Sequence, residues 1–186
     1  MKILPPVSVP IHCLARGDKS PAFELIDPFE GVLCSADLLC AGPVLLTFYR
    51  GAWCQCCRTD LLAVAQAMPL LECRNVTVLG VFHELSVEAS ARIRATYNLN
   101  FRLVDDPDGH TADLFGLRRS RDEMAEIVAE FGPELLALKE GQPWISPMQA
   151  RYLIGRDGTI VYSEVVTDYQ DRSSATGLLH LLEEAR

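Results

Sequence analysis

The chain has 186 residues, 49% of them hydrophobic, and a formal net charge of −8. That length and composition fit one domain with a substantial core and exclude a disordered polypeptide. An acidic balance without a basic run argues against a nucleic-acid partner, and no apolar run approaches the length of a membrane span.

The lead "MKILPPVSVPIHCLARGDKS" is interrupted by Pro5, Pro6 and Pro10, which speaks against a signal-peptide core and makes the cytoplasm the expected location. "AFELI" predicts a short strand and "DPFEG" a turn. "VLLTFY" (44–49) has the unbroken apolar character of a strand buried on both faces. "CRTDLLAVAQAM" follows with helical spacing at Leu61, Val64, Ala65 and Met68, and Pro69 is expected to end or kink that helix. "NVTVLGVF" (75–82) predicts a second buried strand. In "SVEASARIRATY", Ala89, Ile93 and Tyr97 share a helical face, with Ser86 placed to cap it. "DDPDG" (105–109) reads as a turn before a short helix, and "RDEMAEIVAEF" as a helix stopped by Gly-Pro. "RYLIGRDGTIVYSEV" predicts a hairpin around Asp157-Gly158, and "SSATGLLHLLEEAR" an amphipathic terminal helix. Parallel strands joined by helices and closed by a hairpin give a single α/β domain over 1–186. Its sheet is expected to be mixed, with helices on both faces and a helical insertion near 119–140.

Seven cysteines is an odd number, and three of them crowd into "CQCC" (54–57) at the exit of the first buried strand. In a reducing compartment this reads as working thiols, not as a disulfide framework. A C-x-x-C at a strand-to-helix turn within a βαβ pattern is the mark of a thioredoxin-like redox site. The helix N-terminus offers unpaired N–H groups and a partial positive charge, which lower a thiol's pKa from ~8.5 toward ~3.5–7.5. Cys54 and Cys57, at i and i+3, are close enough to close and reopen a disulfide, while Cys56 should turn away into packing. A metal reading would need Cys54, Cys56 and Cys57 with His12, His83 or His110 as fourth ligand. Adjacent cysteines diverge and no second C-x-x-C is present, so no metal is expected. His180 and the other histidines, like Cys13, Cys34, Cys40 and Cys73, read as structural.

Several segments resemble one family. "GDKSPAFELID" is similar to the entry segment G-D-x-A-P-x-F-x-L of the peroxiredoxin-like branch of the alkyl hydroperoxide reductase/thiol-specific antioxidant (AhpC/TSA) family, in the thioredoxin-fold superfamily. "GPVLLTFYRGAWCQCCRTDL" resembles its core F-Y-R-G-x-W-C-P-Y-C-x-x-E-L, and "LVDDPDGHTADLFGL" and "ARYLIGRDGTIVY" resemble two later landmarks. The resemblance covers roughly residues 17–185 and implies a thioredoxin-like fold. It also implies thiol-dependent reduction of hydrogen peroxide or organic hydroperoxides, with no cofactor and an external thiol reductant of the thioredoxin or glutathione type. A homodimer is compatible with it.

Against the typical peroxiredoxin motif F-Y-P-x-x-F-T-x-x-C-P-T-E-L, the match places Cys57 at the attacking cysteine and Cys54 at the threonine. Arg50 and Arg58 take the two prolines, and Asp60 the glutamate. Cys54 would then be the resolving cysteine. Nine positions before the hairpin glycine, where the family has an arginine, this chain has Gln149; Arg151 lies two residues on and, in extended backbone, on the same face. Arg151 is therefore the candidate for the missing cation, with Arg50 and Arg58 as alternatives. As an ordinary strand-end arginine it should contribute little to stability. Gln55 replaces the usual proline of C-P-x-C. Two other readings stay open: a thioredoxin-type protein thiol–disulfide oxidoreductase, with Cys54 as the nucleophile and Cys57 buried, and a redox sensor or interaction domain without turnover.

Overall fold

The computed structural model describes residues 13–51, 54–83, 85–118, 129, 148–166 and 181. Within them the elements run β1 (Glu24–Asp27), β2 (Gly31–Cys34), α1 (Ser35–Ala41), β3 (Val44–Phe48), α2 (Gln55–Glu72), β4 (Thr77–Phe82), α3 (Val87–Tyr97), β5 (Arg102–Asp105), α4 (His110–Leu114), β6 (Gln149–Ile154) and β7 (Ile160–Val166). The expected helical insertion near 119–140 and the terminal helix lie outside the described residues, apart from Ala129 and Leu181, both helical.

The strands form one mixed sheet in the order β2-β1-β5-β4-β3-β6-β7. β3 and β4 pair in parallel, as do β4 and β5, and the hairpins β1–β2 and β6–β7 close the two edges antiparallel. Alternation along the strands sends side chains into two cores. Leu45 of β3, Val78 and Phe82 of β4, Leu103 of β5 and Leu153 of β6 join Leu61, Val64, Met68 and Leu71 of α2 and Ile93 of α3 on one face. Val44, Leu46 and Phe48 of β3, with Leu79, Val81, Tyr152 and Ile154, pack with Leu38 of α1 and Phe115 on the other. β3 and β4 are therefore covered on both faces, which is why they read as unbroken apolar runs.

The structure adds three elements that sequence reading left out: β2, α1 and β5. β2 and β5 have four residues each and α1 seven, too short to display a period. Pro69 does not end α2; the helix continues to Glu72. So near the C-terminus the missing N–H costs only one intrahelical bond, to the Ala65 carbonyl, and the following turn is retained, with Cys73 N–H donating to the Pro69 carbonyl at 3.3 Å. Ser86 caps α3 as expected, its hydroxyl accepting from Ala89 N–H at 3.1 Å. The β6–β7 turn falls at the expected place but has Arg156 and Asp157 at its centre: Gly158 N–H donates to the Gly155 carbonyl at 2.9 Å, Gly158 has a φ of +77°, and the Asp157 carboxylate accepts from Thr159 N–H at 3.0 Å.

Candidate active site

β3 delivers the cysteines. Past Phe48, the Tyr49 N–H still donates to Val81 at 2.9 Å, so the strand pairing reaches the edge of the sheet before the chain turns at Arg50 and Gly51. Cys54 N–H donates to the Gly51 carbonyl at 3.2 Å, and Arg58 N–H to the Cys54 carbonyl at 3.1 Å, which opens the helical ladder of α2. Cys54 is thus the N-cap residue, with extended backbone (φ −75°, ψ 117°). Its sulfur accepts the Cys57 N–H at 3.4 Å, the bond an oxygen makes in an ordinary cap. Cys54 and Cys57 are both buried, Cys56 is half-buried against the same core, and all seven cysteines are free thiols.

The two sulfurs are electrostatically unlike. Cys54 is drawn down to about 6 by a hydrogen bond from the Cys57 thiol; burial opposes this, and the Cys57 and Cys56 amides and the Arg50 charge reinforce it. Cys57 is pushed well up, first by burial and then by donating to and neighbouring the Cys54 sulfur, with Arg50 acting only in partial compensation. The reduced pair is therefore one thiolate and one thiol sharing a proton, with the negative charge on Cys54.

Arg151 is not the exposed strand-end residue that its sequence position predicts. It stands in β6 opposite Thr47 of β3 and is 2% exposed. Its guanidinium pairs with the Asp60 carboxylate of α2 and, at 2.9 Å, with the Glu164 carboxylate of β7. The face assignment holds, since Gln149 and Arg151 alternate with Ala150, Tyr152 and Ile154 of the opposite core. The expectation of little effect on stability does not, because a buried cation between two carboxylates is a structural tie. Glu164 was missed: it comes across from Arg151 only because the hairpin register, which begins at Ile154 opposite Ile160, shifts by one residue between Leu153 and Ile154, an irregularity the sequence does not announce.

Arg50 is also buried, and its guanidinium donates to Gln149 Oε1 at 3.4 Å. Arg58 is exposed. Of the remaining candidates, His83 Nδ1 lies 2.8 Å from the Asp106 carbonyl, and the Cys13 thiol donates to Gly116 at 3.3 Å. Among the described residues no group of three or more His, Cys, Asp or Glu could hold a metal, and no helix is long and apolar enough to cross a membrane. Trp53, His12 and His180 lie outside the described residues.

Two outcomes follow from this geometry. Alkylation by iodoacetamide requires the thiolate, whose fraction grows as pH rises through the thiol's pKa, so the rate at Cys54 should be half-maximal near pH 6. Cys57→Ala, which removes the thiol donor, should move that midpoint upward toward ~8.5; an unmoved midpoint would contradict the shared proton. Arg151→Met should cost about 3–5 kcal/mol in urea unfolding, since it takes the buried cation from between two carboxylates, and the double variant with Asp60→Leu should recover at least ~1 kcal/mol of that. A loss below ~1 kcal/mol in the single variant would show that the triad does not tie the helix to the sheet.

The site can now be set beside known proteins. The AhpC/TSA family model matches residues 16–163. A putative peroxiredoxin bcp of Haemophilus influenzae is 29% identical over 104 residues, 56% of this chain, and one of Coxiella burnetii is 31% identical over 101 residues, 54% of this chain. The chain spans 66% of the length of each of these curated relatives. Among solved structures, the peroxidoxin BcpB of Mycobacterium tuberculosis superposes with a TM-score of 0.70 at 18% identity, covering 92% of this chain and 96% of that one. That likeness is one of fold, and it identifies the sheet and its helices as the thioredoxin-like architecture of peroxiredoxins. With the family model spanning most of its length and the C-x-x-C at the strand-to-helix turn, the chain belongs to the AhpC/TSA family.

Proposed function

We propose that the protein is a thiol-dependent peroxidase that turns over on the Cys54–Cys57 pair. One observation carries the reading: the Cys54 sulfur caps α2, with the Cys57 amide and thiol both directed at it. The Cys54 thiolate attacks the terminal oxygen of a hydroperoxide, and the O–O bond breaks. The leaving oxygen takes the Cys57 thiol proton and departs as water or an alcohol, so Cys54 becomes a sulfenic acid and Cys57 a thiolate. Cys57 then attacks the sulfenic sulfur, hydroxide leaves, and a Cys54–Cys57 disulfide forms. Two thiols of an external reductant, of the thioredoxin or glutathione type, restore the pair; a reducing compartment such as the cytoplasm would supply them.

This assigns attack to the opposite sulfur from the one that alignment with the peroxiredoxin motif implies. The physical reason is that a sulfur inside the first turn, buried and donating its proton, is a poor nucleophile beside one at the cap. Family membership supports the peroxide chemistry. The same order of acidity also suits a thioredoxin-type oxidoreductase, whose N-terminal cysteine attacks a protein disulfide.

Stopped-flow mixing of the reduced protein with hydrogen peroxide and with cumene hydroperoxide, against disulfide reduction with insulin, separates the two. We expect fast consumption of one equivalent of peroxide by the wild type, slower but still measurable consumption in Cys57→Ser, where a hydroxyl replaces the thiol donor, and at least a ~100-fold reduction in Cys54→Ser. Insulin reduction without peroxide consumption would move the assignment to disulfide exchange. Neither activity, with a reversible disulfide still forming, would leave a redox sensor.

A further inference from the structure

The site holds a third sulfur that the cycle above does not use. Cys54 is 5% exposed and Cys57 fully buried, so a disulfide between them offers a bulky reductant no sulfur to approach. Cys56 is half-buried. It packs against the same core, yet its neighbours Gln55, Arg58 and Thr59 in the first turn of α2 are exposed. It is also closely joined to the cap. The Cys54 sulfur receives the Cys56 amide as well as that of Cys57, and three bonds link the Cys56 amide nitrogen to the Cys56 sulfur. In a regular helix, residues two apart have Cα atoms about 5.4 Å from one another, within the range that a disulfide spans. Cys56 and Cys57 are about 3.8 Å apart across the trans peptide between them, below that range. Any bridge from Cys56 within this turn therefore goes to Cys54.

From this juxtaposition we propose that Cys56 is the thiol through which electrons enter the site: it exchanges with the buried Cys54–Cys57 disulfide and presents the bond to the external reductant. The proposal rests on the disulfide cycle of the reading above. The Cys56 thiolate attacks the Cys54 sulfur, the Cys54–Cys57 bond breaks, and Cys57 leaves with the electron pair and takes up a proton. A neutral thiol is the form that burial favours at Cys57. One thiol of the reductant, as its thiolate, then attacks the Cys56 sulfur. Cys54 leaves as the thiolate that the two amides hold, which makes it the better leaving group of the pair. The reductant's second thiol attacks its own sulfur in the mixed disulfide, closes the reductant's disulfide and releases Cys56, which is reprotonated. Two electrons pass from the dithiol to the pair, and Cys56 ends as it began.

The test starts from protein oxidised with diamide, which makes the Cys54–Cys57 bond without peroxide, and checks that bond by peptide mass mapping. A thioredoxin whose second active-site cysteine is replaced by serine then traps the mixed disulfide, and the reaction is quenched with acid. We expect the thioredoxin on Cys56; a mixed disulfide on Cys54 or Cys57 would overturn the proposal. In a second arm, intact thioredoxin reduces the oxidised Cys56→Ser protein, with folding checked by circular dichroism. The rate should fall at least ~10-fold below that of the wild type, and an equal rate would also overturn the proposal. Because neither arm uses peroxide, the peroxidase reading can fail while the relay stands. A protein in which diamide forms no Cys54–Cys57 bond would instead refute the disulfide cycle, and the relay with it.

Discussion

A sulfur anion held out of water is the constraint around which the β3–α2 junction is built. Burying an unpaired charge is expensive, and a thiol so placed would ordinarily remain protonated. The chain meets the requirement by ending a doubly covered strand at Phe48 and starting a long helix at Gln55, with the sulfur of Cys54 itself as the cap. The donors then come from covalent neighbours: the Cys57 amide, the Cys56 amide and the Cys57 thiol. Because the cap residue lies outside the helix and Cys57 one turn within it, the two sulfurs are distinguished by position before any other residue acts.

Such a cap works only if the first turn of α2 keeps its place on the sheet. Apolar packing of Leu61, Val64 and Met68 holds the helix down along its length, but it resists rotation poorly. Asp60, one turn after Cys57, meets Arg151 of β6, which is also held by Glu164 of β7. Three elements are thereby locked in one orientation by a directional contact. A buried ion pair of this kind is weak as net stabilisation and strong as a specifier, since removing one member takes a counter-charge from the others.

Much of this was legible in the sequence. The apolar run at 44–49, the C-x-x-C after it and the Asp157-Gly158 turn each carry local chemistry strong enough to place the strand, the helix start and the hairpin. β2, α1 and β5 were not legible, because they hold few residues and take their shape from neighbours. The site divided in the same way. Cys54 and Cys57 announce themselves by spacing. Arg151 could be put on the correct face by alternation, but its burial and its two carboxylates depend on a helix and a strand far apart in the chain. The role of Gln149 as an acceptor for Arg50 arises only once β3 and β6 lie side by side, with Phe48 opposite Ala150.

The central claim is that the capping sulfur, not the one inside the helix, carries the charge and reacts first. It is tested most directly by peptide-resolved trapping of the sulfenic acid. Cys57→Ser and Cys54→Ser proteins, each reduced and given one equivalent of hydrogen peroxide at pH 7, are quenched with a sulfenate-specific reagent over a time course. The account predicts that Cys54 in the first protein is labelled faster than Cys57 in the second, where labelling should be slow or negligible. Faster labelling of Cys57 than of Cys54 would contradict it and return the attacking role to the buried sulfur.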